Sequence, residues 1–284
     1  MGIYPHLNII DAAVSVLRGG KQHSVFFSRP LNMERMNTYV GGFSVEVVEP
    51  LKRIRLKVEE TEGIALDVEF EGRAFPIEEP RFTRRQGPRM LMDVTRMTQN
   101  GRWSGKLRLD GQEITVSPDS WTGTRDRSWG VRDIAMVRQH RMCTGTFGPG
   151  LSFATTVLQL ANGHYHKAGF VVRDGVEEDI ADIDILALVD ADGVTVRGGQ
   201  CRITLGSGEC LEIDCETVGS FAHVYGDSYL TSENLSVARW TDPAGIQTGF
   251  CDLECSINAQ AGTGLMEAHA SRGVLLENGL RLMR

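Results

Sequence analysis

The chain has 284 residues, with 30 Lys+Arg against 37 Asp+Glu, a formal charge of −7 and 41% hydrophobic residues. That length suits one large or two moderate domains, and the composition excludes wholesale disorder. The acidic balance excludes nucleic-acid binding driven by bulk positive potential. Thirty-two Gly against nine Pro, with no low-complexity tract, point to many tight turns and hence to a β-rich chain.

The first twenty residues place Ile3, Leu7, Ile10, Val14 and Leu17 at three- and four-residue steps, which predicts a helix over residues 1–20. The same stretch lacks the basic start and long apolar run of a signal peptide. No apolar run in the chain approaches the ~18 residues of a membrane span. The expectation is a soluble, cytoplasmic protein with no membrane span. Six Cys, none in a CxxC pair, read as reduced thiols rather than a disulfide framework or a zinc knuckle.

From Gly41 the apolar period changes to two. Phe43, Val45 and Val47, then Ile54, Leu56 and Val58, then Ile64, Leu66, Val68 and Phe70 alternate with polar or small residues. This is the pattern of half-buried antiparallel strands. Asn100-Gly101, Asp110-Gly111, Asn162-Gly163, Asp174-Gly175, Asp192-Gly193 and Asn278-Gly279 are dipeptides that favour hairpin turns. The clearest hairpins are KLRLDGQEITV (106–116) and LSFATTVLQLANGHYHKAGFVV (151–172). Strand-like runs continue to the C-terminal region, which predicts an all-β protein of barrels or sandwiches. We divide it at 1–120 and 121–284, with the join near 117–135.

The most distinctive segment is WTGTRDRSWGVRD (121–133). In an extended strand, Arg125, Arg127 and Trp129 point to one side and Asp126, Ser128 and Gly130 to the other. One side then offers an aromatic wall beside guanidinium donors, and the other an acid that can tie the strand to a neighbour. A structural corner with a local ion-pair network is the competing reading. Other acids and bases lie in strand-like stretches: Glu78 and Glu79 in EEPRF, Asp93 and Arg96 in MDVTR, Glu254, and Glu267 with His269 two residues apart. The last two can act as an acid/base pair if their side faces a cavity. His164 and His166 also share a strand face but lack a clear third metal ligand, so no metal site is expected. There is no G-x-S-x-G elbow and no phosphate loop.

The decapeptide GTRDRSWGVR (123–132) resembles the G-x-R-D-H-S-W-G-x-R signature of the lipocalin-like AttH, carotenoid hydratase and kievitone hydratase-like superfamily. Looser similarities lie in GGFSVEVVEPLKRIRL (41–56), EEPRF (78–82), WTDPAG (240–245) with TGFCDLE (248–254), and GTGLMEAHASRG (262–273). The resemblance implies two consecutive lipocalin-like antiparallel β domains with an apolar cavity. It also implies a site at the signature, with Trp129 at the family's Trp. Arg127 stands where the family has His; arginine stays protonated and cannot serve as a general base in the same way, but it can anchor an anionic group. The function expected is cofactor-free hydration/dehydration, isomerisation or cyclisation of an apolar small molecule such as a terpenoid, polyketide or steroid-like compound. Arg127, Trp129, Asp126, Glu267 and His269 are the catalytic candidates, and Arg125, Trp121, Asp93 and Glu254 the ligand-binding ones. A non-catalytic carrier and a purely structural role for the signature stand as alternatives. The residues leave the substrate and the oligomeric state open.

Overall fold

The computed structural model describes residues 1–190, 195–225, 229–258 and 280–282. Strands come in the order β1 (Gly2–Tyr4), β2 (Ile9–Arg18), β3 (Lys21–Pro30), β4 (Phe43–Glu49), β5 (Arg53–Thr61), β6 (Ile64–Gly72), β7 (Ile77–Glu78), β8 (Phe82–Gln86), β9 (Arg89–Leu109), β10 (Gln112–Val116) and β11 (Thr122–Arg132). A single 3-10 turn, Ile134–Met136, then leads to β12 (Val137–Phe147), β13 (Leu151–Leu160), β14 (Tyr165–Arg173), β15 (Val176–Glu178), β16 (Ile180–Val189), β17 (Val196–Leu205), β18 (Cys210–Tyr225), β19 (Tyr229–Asp242), β20 (Gly245–Asn258) and β21 (Leu280–Leu282). Among the described residues there is no α-helix, so none is long and apolar enough to cross a membrane. The protein is all-β, with large antiparallel sheets.

The helix expected over residues 1–20 is corrected: the segment is β1 and β2. Gly19 and Gly20, at φ 57° and 74°, turn β2 into a hairpin with β3. Two residues that created the helical spacing, Ile3 and Leu7, lie exposed, while Ile10 and Ala12 are buried and Val14 and Val16 pack on the core. The stretch Ile9–Leu17 thus carries a period of two, and its β-branched residues suit a pleated, half-buried surface. Two of the expected turn dipeptides, Asp110-Gly111 and Asp174-Gly175, form tight turns with both residues at positive φ. Asn100-Gly101 instead lies inside β9, paired to Glu71 and Gly72 of β6 through its flank. Asp192-Gly193 and Asn278-Gly279 lie outside the described residues.

The chain divides into two compact units. The first comprises 1–76 with 99–125, the second 77–98 with 126–284. The strands β9 and β11 therefore each contribute to both, and the hairpin-bearing stretch Ile77–Thr98, assigned by sequence to the N-terminal half, packs with the C-terminal one. In the first unit, β1–β3 form a three-stranded sheet, and β10-β9-β6-β5-β4 form a second. Their facing side chains make one core: Ile10, Val25 and Phe27 from one sheet, with Val68, Leu107 and Leu109 from the other.

In the second unit, strands run β15-β14-β13-β12-β20-β19-β18-β17-β16-β21 in one ten-stranded sheet. The sheet curls until β14 approaches β16, where Lys167 reaches Asp182 and Asp184 at 2.8 and 3.1 Å. Residues of odd number on β12 and β20, such as Cys143, Cys251 and Leu253, point into the curl and join Phe153, Ile185, Ile203 and Ile213 in its core. Residues of even number, including His140, Met142, Glu254 and Ser256, point to the outer face. Strands β7, β8 and the first part of β9 cover part of that face: Ile77 packs on Ala154, Phe170 and Val172, and Leu91 and Met92 lie in one cluster with Leu158.

Phe153 is fully buried and stacks against Phe147 at a ring separation of 6.2 Å. Phe153→Ala is expected to lower unfolding free energy by about 3–5 kcal/mol, read from the urea midpoint at unchanged m-value. A loss below about 1 kcal/mol would show that the inner face is not a continuous packed core.

Candidate functional site

The site grows out of the pairing of β11 with β9. Gly130, at φ 124°, lies so close to the Asp93 carbonyl that a Cβ there would collide with it. The even side of β11 carries Asp126, whose side chain stays 40% exposed. Asp126 Oδ1 sits 3.7 Å from Arg96 Nε and accepts a hydrogen bond from Thr98 at 3.3 Å. Arg127 and Trp129 lie on the odd side, both exposed, with the Arg127 guanidinium 5.7 Å from the Trp129 ring centre. Trp121 is exposed and Arg125 half-buried, and both belong to the first unit. Asp93 is held in a bidentate pair by Arg81 at 2.6 and 2.7 Å, which keeps its carboxyl below the usual range. Glu267 and His269 lie outside the described residues. Of the nine candidates, Asp126 and Glu254 are the two that the structure brings into one group of titratable side chains.

That group lies on the outer face of the curled sheet. The β12–β20 register sets Met142 opposite Glu254 and His140 opposite Ser256, so His140 and Glu254 are diagonal neighbours. His140 Nδ1 stands 3.0 Å from Glu254 Oε1, and its Nε2 2.6 Å from Thr156 Oγ1 on β13. A carboxylate only accepts, so Nδ1 donates; in the neutral ring Nε2 then accepts from the Thr156 hydroxyl. Ser256 donates to the same Glu254 oxygen at 2.8 Å. Arg96 Nη1 lies 3.5 Å from Thr156 Oγ1 and 3.3 Å from Met142 Sδ.

Each carboxyl here sits in a different electrostatic setting. Burial would raise Glu254, but His140, Arg96 and the Ser256 hydroxyl outweigh it and hold it at about 2. Directly across the strand pair, Glu233 is pushed up to about 10, first by burial and then by the charges of Glu254 and Asp252. Asp252 is raised as well, mainly by burial. Glu79, also buried, is raised by burial and by Asp126 against the opposing pull of Arg96 and His140. Tyr229 is raised to about 12 by burial and the Glu254 charge. Arg96 stays firmly cationic because Asp126, Glu79 and Glu254 together override its burial.

Two opposed carboxyls with acidities driven apart are the arrangement from which acid and base roles arise. The Glu254 carboxylate, held low by its neighbours, accepts from and orients His140, while Glu233 across the strand pair is pushed towards its protonated form by burial. Thr156, His140 and Glu254 superficially match a nucleophile–base–orienter line. Yet Thr156 lies in a strand paired on both sides, with Met142 and with Ala168, so its backbone N–H groups serve the ladders and offer no oxyanion hole. Proton transfer therefore suits this group better than acyl transfer. Apolar side chains adjoin it: Leu158 sits opposite His140, and Phe82, Leu91, Met92 and Val94 lie in the same cluster. His166, one of the two metal-ligand candidates of GHYHK, stacks on Phe82 at 4.2 Å, and His164 is exposed in the turn.

Sequence reasoning named Glu79 and Arg96 without choosing them, and passed over His140, Thr156 and Glu233. Alternation alone puts His140 and Met142 on one face of RQHRM, but which strands flank them is a matter of long-range pairing that no local pattern records.

Glu233 yields a pH signature. Its acidity is weakened on folding, so its contribution to stability is complete below the ordinary carboxylate range and is lost as pH rises towards about 10. Glu233→Gln removes that loss. Urea unfolding at about pH 6 and about pH 9 is expected to show the wild type falling in stability more steeply than the variant; equal slopes would contradict the assignment.

The likeness to known proteins is one of fold. Kievitone hydratase from Nectria haematococca superposes with a TM-score of 0.64 at 10% identity, over 89% of this chain and 80% of that one. An AttH-family protein from Nitrosomonas europaea gives 0.58 at 15%, over 86% and 81%. CghA gives 0.54 at 11%, over 88% and 87%. These place the architecture in the lipocalin-like AttH and hydratase fold expected from the signature. No curated protein matches the chain in sequence. The model of a family of unknown function, DUF8625, matches residues 1–211, and the chain belongs to that family.

Proposed function

We propose that the protein is a cofactor-free enzyme that moves protons on an apolar small molecule, by hydration/dehydration, isomerisation or cyclisation. The observation that carries this reading is the pair of carboxyls Glu233 and Glu254, set opposite each other on β19 and β20 beside His140, with burial pushing Glu233 up and His140 and Arg96 holding Glu254 down. In the hydration direction, Glu233 gives its proton to an alkene carbon. His140, backed by Glu254, takes a proton from the water that adds to the resulting cation. The reverse sequence eliminates water, and loss of a proton from the cation without water addition gives isomerisation or ring closure. Arg96 holds Asp126 and supplies positive charge for an anionic or carbonyl oxygen of the substrate. The apolar side chains around Leu158 provide the environment in which such few polar contacts act strongly. A fold shared with a protein named as a hydratase supports the same direction.

A carrier needs affinity but no paired acid and base, and the density of titratable groups on this face weighs against it. The signature's Arg127 and Trp129 stand on the other side of β11, where they form an exposed aromatic–guanidinium surface.

The reading is tested by incubating the protein in D2O with a panel of acyclic terpenoid alkenes and tertiary alcohols, reading carbon-bound deuterium by mass spectrometry. Wild type is expected to incorporate deuterium. Glu233→Gln and His140→Ala are each expected to reduce the rate by about 10²–10⁴-fold, with Trp129→Ala retaining it. Binding of the panel without exchange would make the protein a carrier. Loss of exchange in Trp129→Ala alone would move the chemistry to the odd side of β11.

A further inference from the structure

The inner face of the same ten-stranded sheet holds a cluster of a different kind. Cys143 on β12, Cys215 on β18 and Cys251 on β20 are all buried, and their sulfurs lie within 4.8 Å of one another. The Cys215–Cys251 separation is 3.4 Å and the Cys143–Cys215 separation 4.0 Å. These strands are not all neighbours: β19 separates β20 from β18, and both β20 and β19 separate β12 from β18. Curling of the sheet, not sequence spacing, brings the thiols together. Small residues leave room for them. Cys215 pairs with Ala238, and Cys251 pairs with Gly145, where a Cβ would stand 2.8 Å from the Cys251 Cβ.

A disulfide does not account for this arrangement. All three are free thiols, and the Cys215 and Cys251 sulfurs, 3.4 Å apart, stand well beyond the about 2 Å of an S–S bond. Three sulfurs around a common centre do fit a metal ion. With metal–sulfur bonds of about 2.3 Å, a trigonal plane sets the sulfurs about 4 Å apart. Buried Cys201 adjoins Cys143 but stands outside the group whose sulfurs all lie within 4.8 Å of one another, so among the described residues a closed tetrahedral zinc site is incomplete. Three soft ligands and no fourth select a soft ion content with three-coordination. Binding of a soft ion by these thiols releases their protons.

We propose that Cys143, Cys215 and Cys251 form a trigonal thiolate site for one copper(I) ion in the core of the second unit. The site lies on the opposite face of the sheet from His140 and Glu254 and is independent of the acid–base reading.

The test uses the reduced full-length protein, equilibrated anaerobically with copper(I) in competition with bicinchoninate. One copper(I) per chain is expected to be retained, and X-ray absorption at the copper edge is expected to show three sulfurs at about 2.3 Å. Cys251→Ser and Cys215→Ser are expected to weaken binding by more than about 100-fold, beyond the usual effect of outer-sphere changes. Cys210→Ser, an exposed cysteine, is expected to leave it intact. Failure to retain copper, a nitrogen or oxygen coordination shell, or undiminished binding in a folded Cys251→Ser variant would each overturn the proposal. The coordination spectrum of the unaltered protein decides the matter even where a serine variant does not fold.

Discussion

A carboxylate partly withdrawn from water keeps its charge best beside a cation and good donors, and Glu254, 22% exposed, is the carboxylate around which the candidate site is arranged. Its charge rests on His140, Arg96 and Ser256. Each partner comes from a different part of the fold: β12 and β20 through their register, and β9 through the stretch that folds back over the sheet. Taking one partner from a buried pair commonly costs about 3–5 kcal/mol, because the remaining charge is stranded. Arg96 is shared further, with Asp126 and Glu79. Asp126 reaches it because Gly130 lets β11 lie flat against β9. The signature thus contributes to the group through its acid and its glycine, while its Arg127 and Trp129 face away.

One sheet carries two chemistries because its side chains alternate. The even positions of β12 and β20 bear His140, Glu254 and Ser256, and the odd positions bear Cys143, Cys251 and Cys255. A shift of register by one residue would exchange the two sets. The long, matched ladders of β12 with β13 and β20, each of at least eight paired residues, fix that register. Arg141, fully buried on the odd face, donates from Nη1 to the carbonyls of His140 and Ser256 and from Nη2 to Gln139, while its buried Nε has no partner.

The all-β class and several hairpins were legible because period-two alternation and Asp-Gly turns are local signals. The two hairpins read most clearly, 106–116 and 151–172, pair as expected. The N-terminal segment misled because Ile3 and Leu7, exposed in the structure, supplied two of the five residues of an apparent helical stripe. The excursion of 77–98 into the second unit left no trace in composition, since it depends on β9 continuing through both units. The site was legible only in part, for the same reason. Glu254 and Asp126 stood out as acids in strands, but their partner His140 is defined by a pairing of β12 with a strand more than a hundred residues later. The three thiols are likewise scattered in sequence and meet only through curvature.

The central claim is that the facing carboxyls Glu233 and Glu254 hold opposite ionisation at neutral pH. Difference infrared spectroscopy in the carboxyl region tests it most directly, comparing wild type with Glu233→Gln and Glu254→Gln. The account predicts that Glu233→Gln removes a protonated C=O band and Glu254→Gln removes a carboxylate band. Loss of a carboxylate band from Glu233→Gln would contradict it.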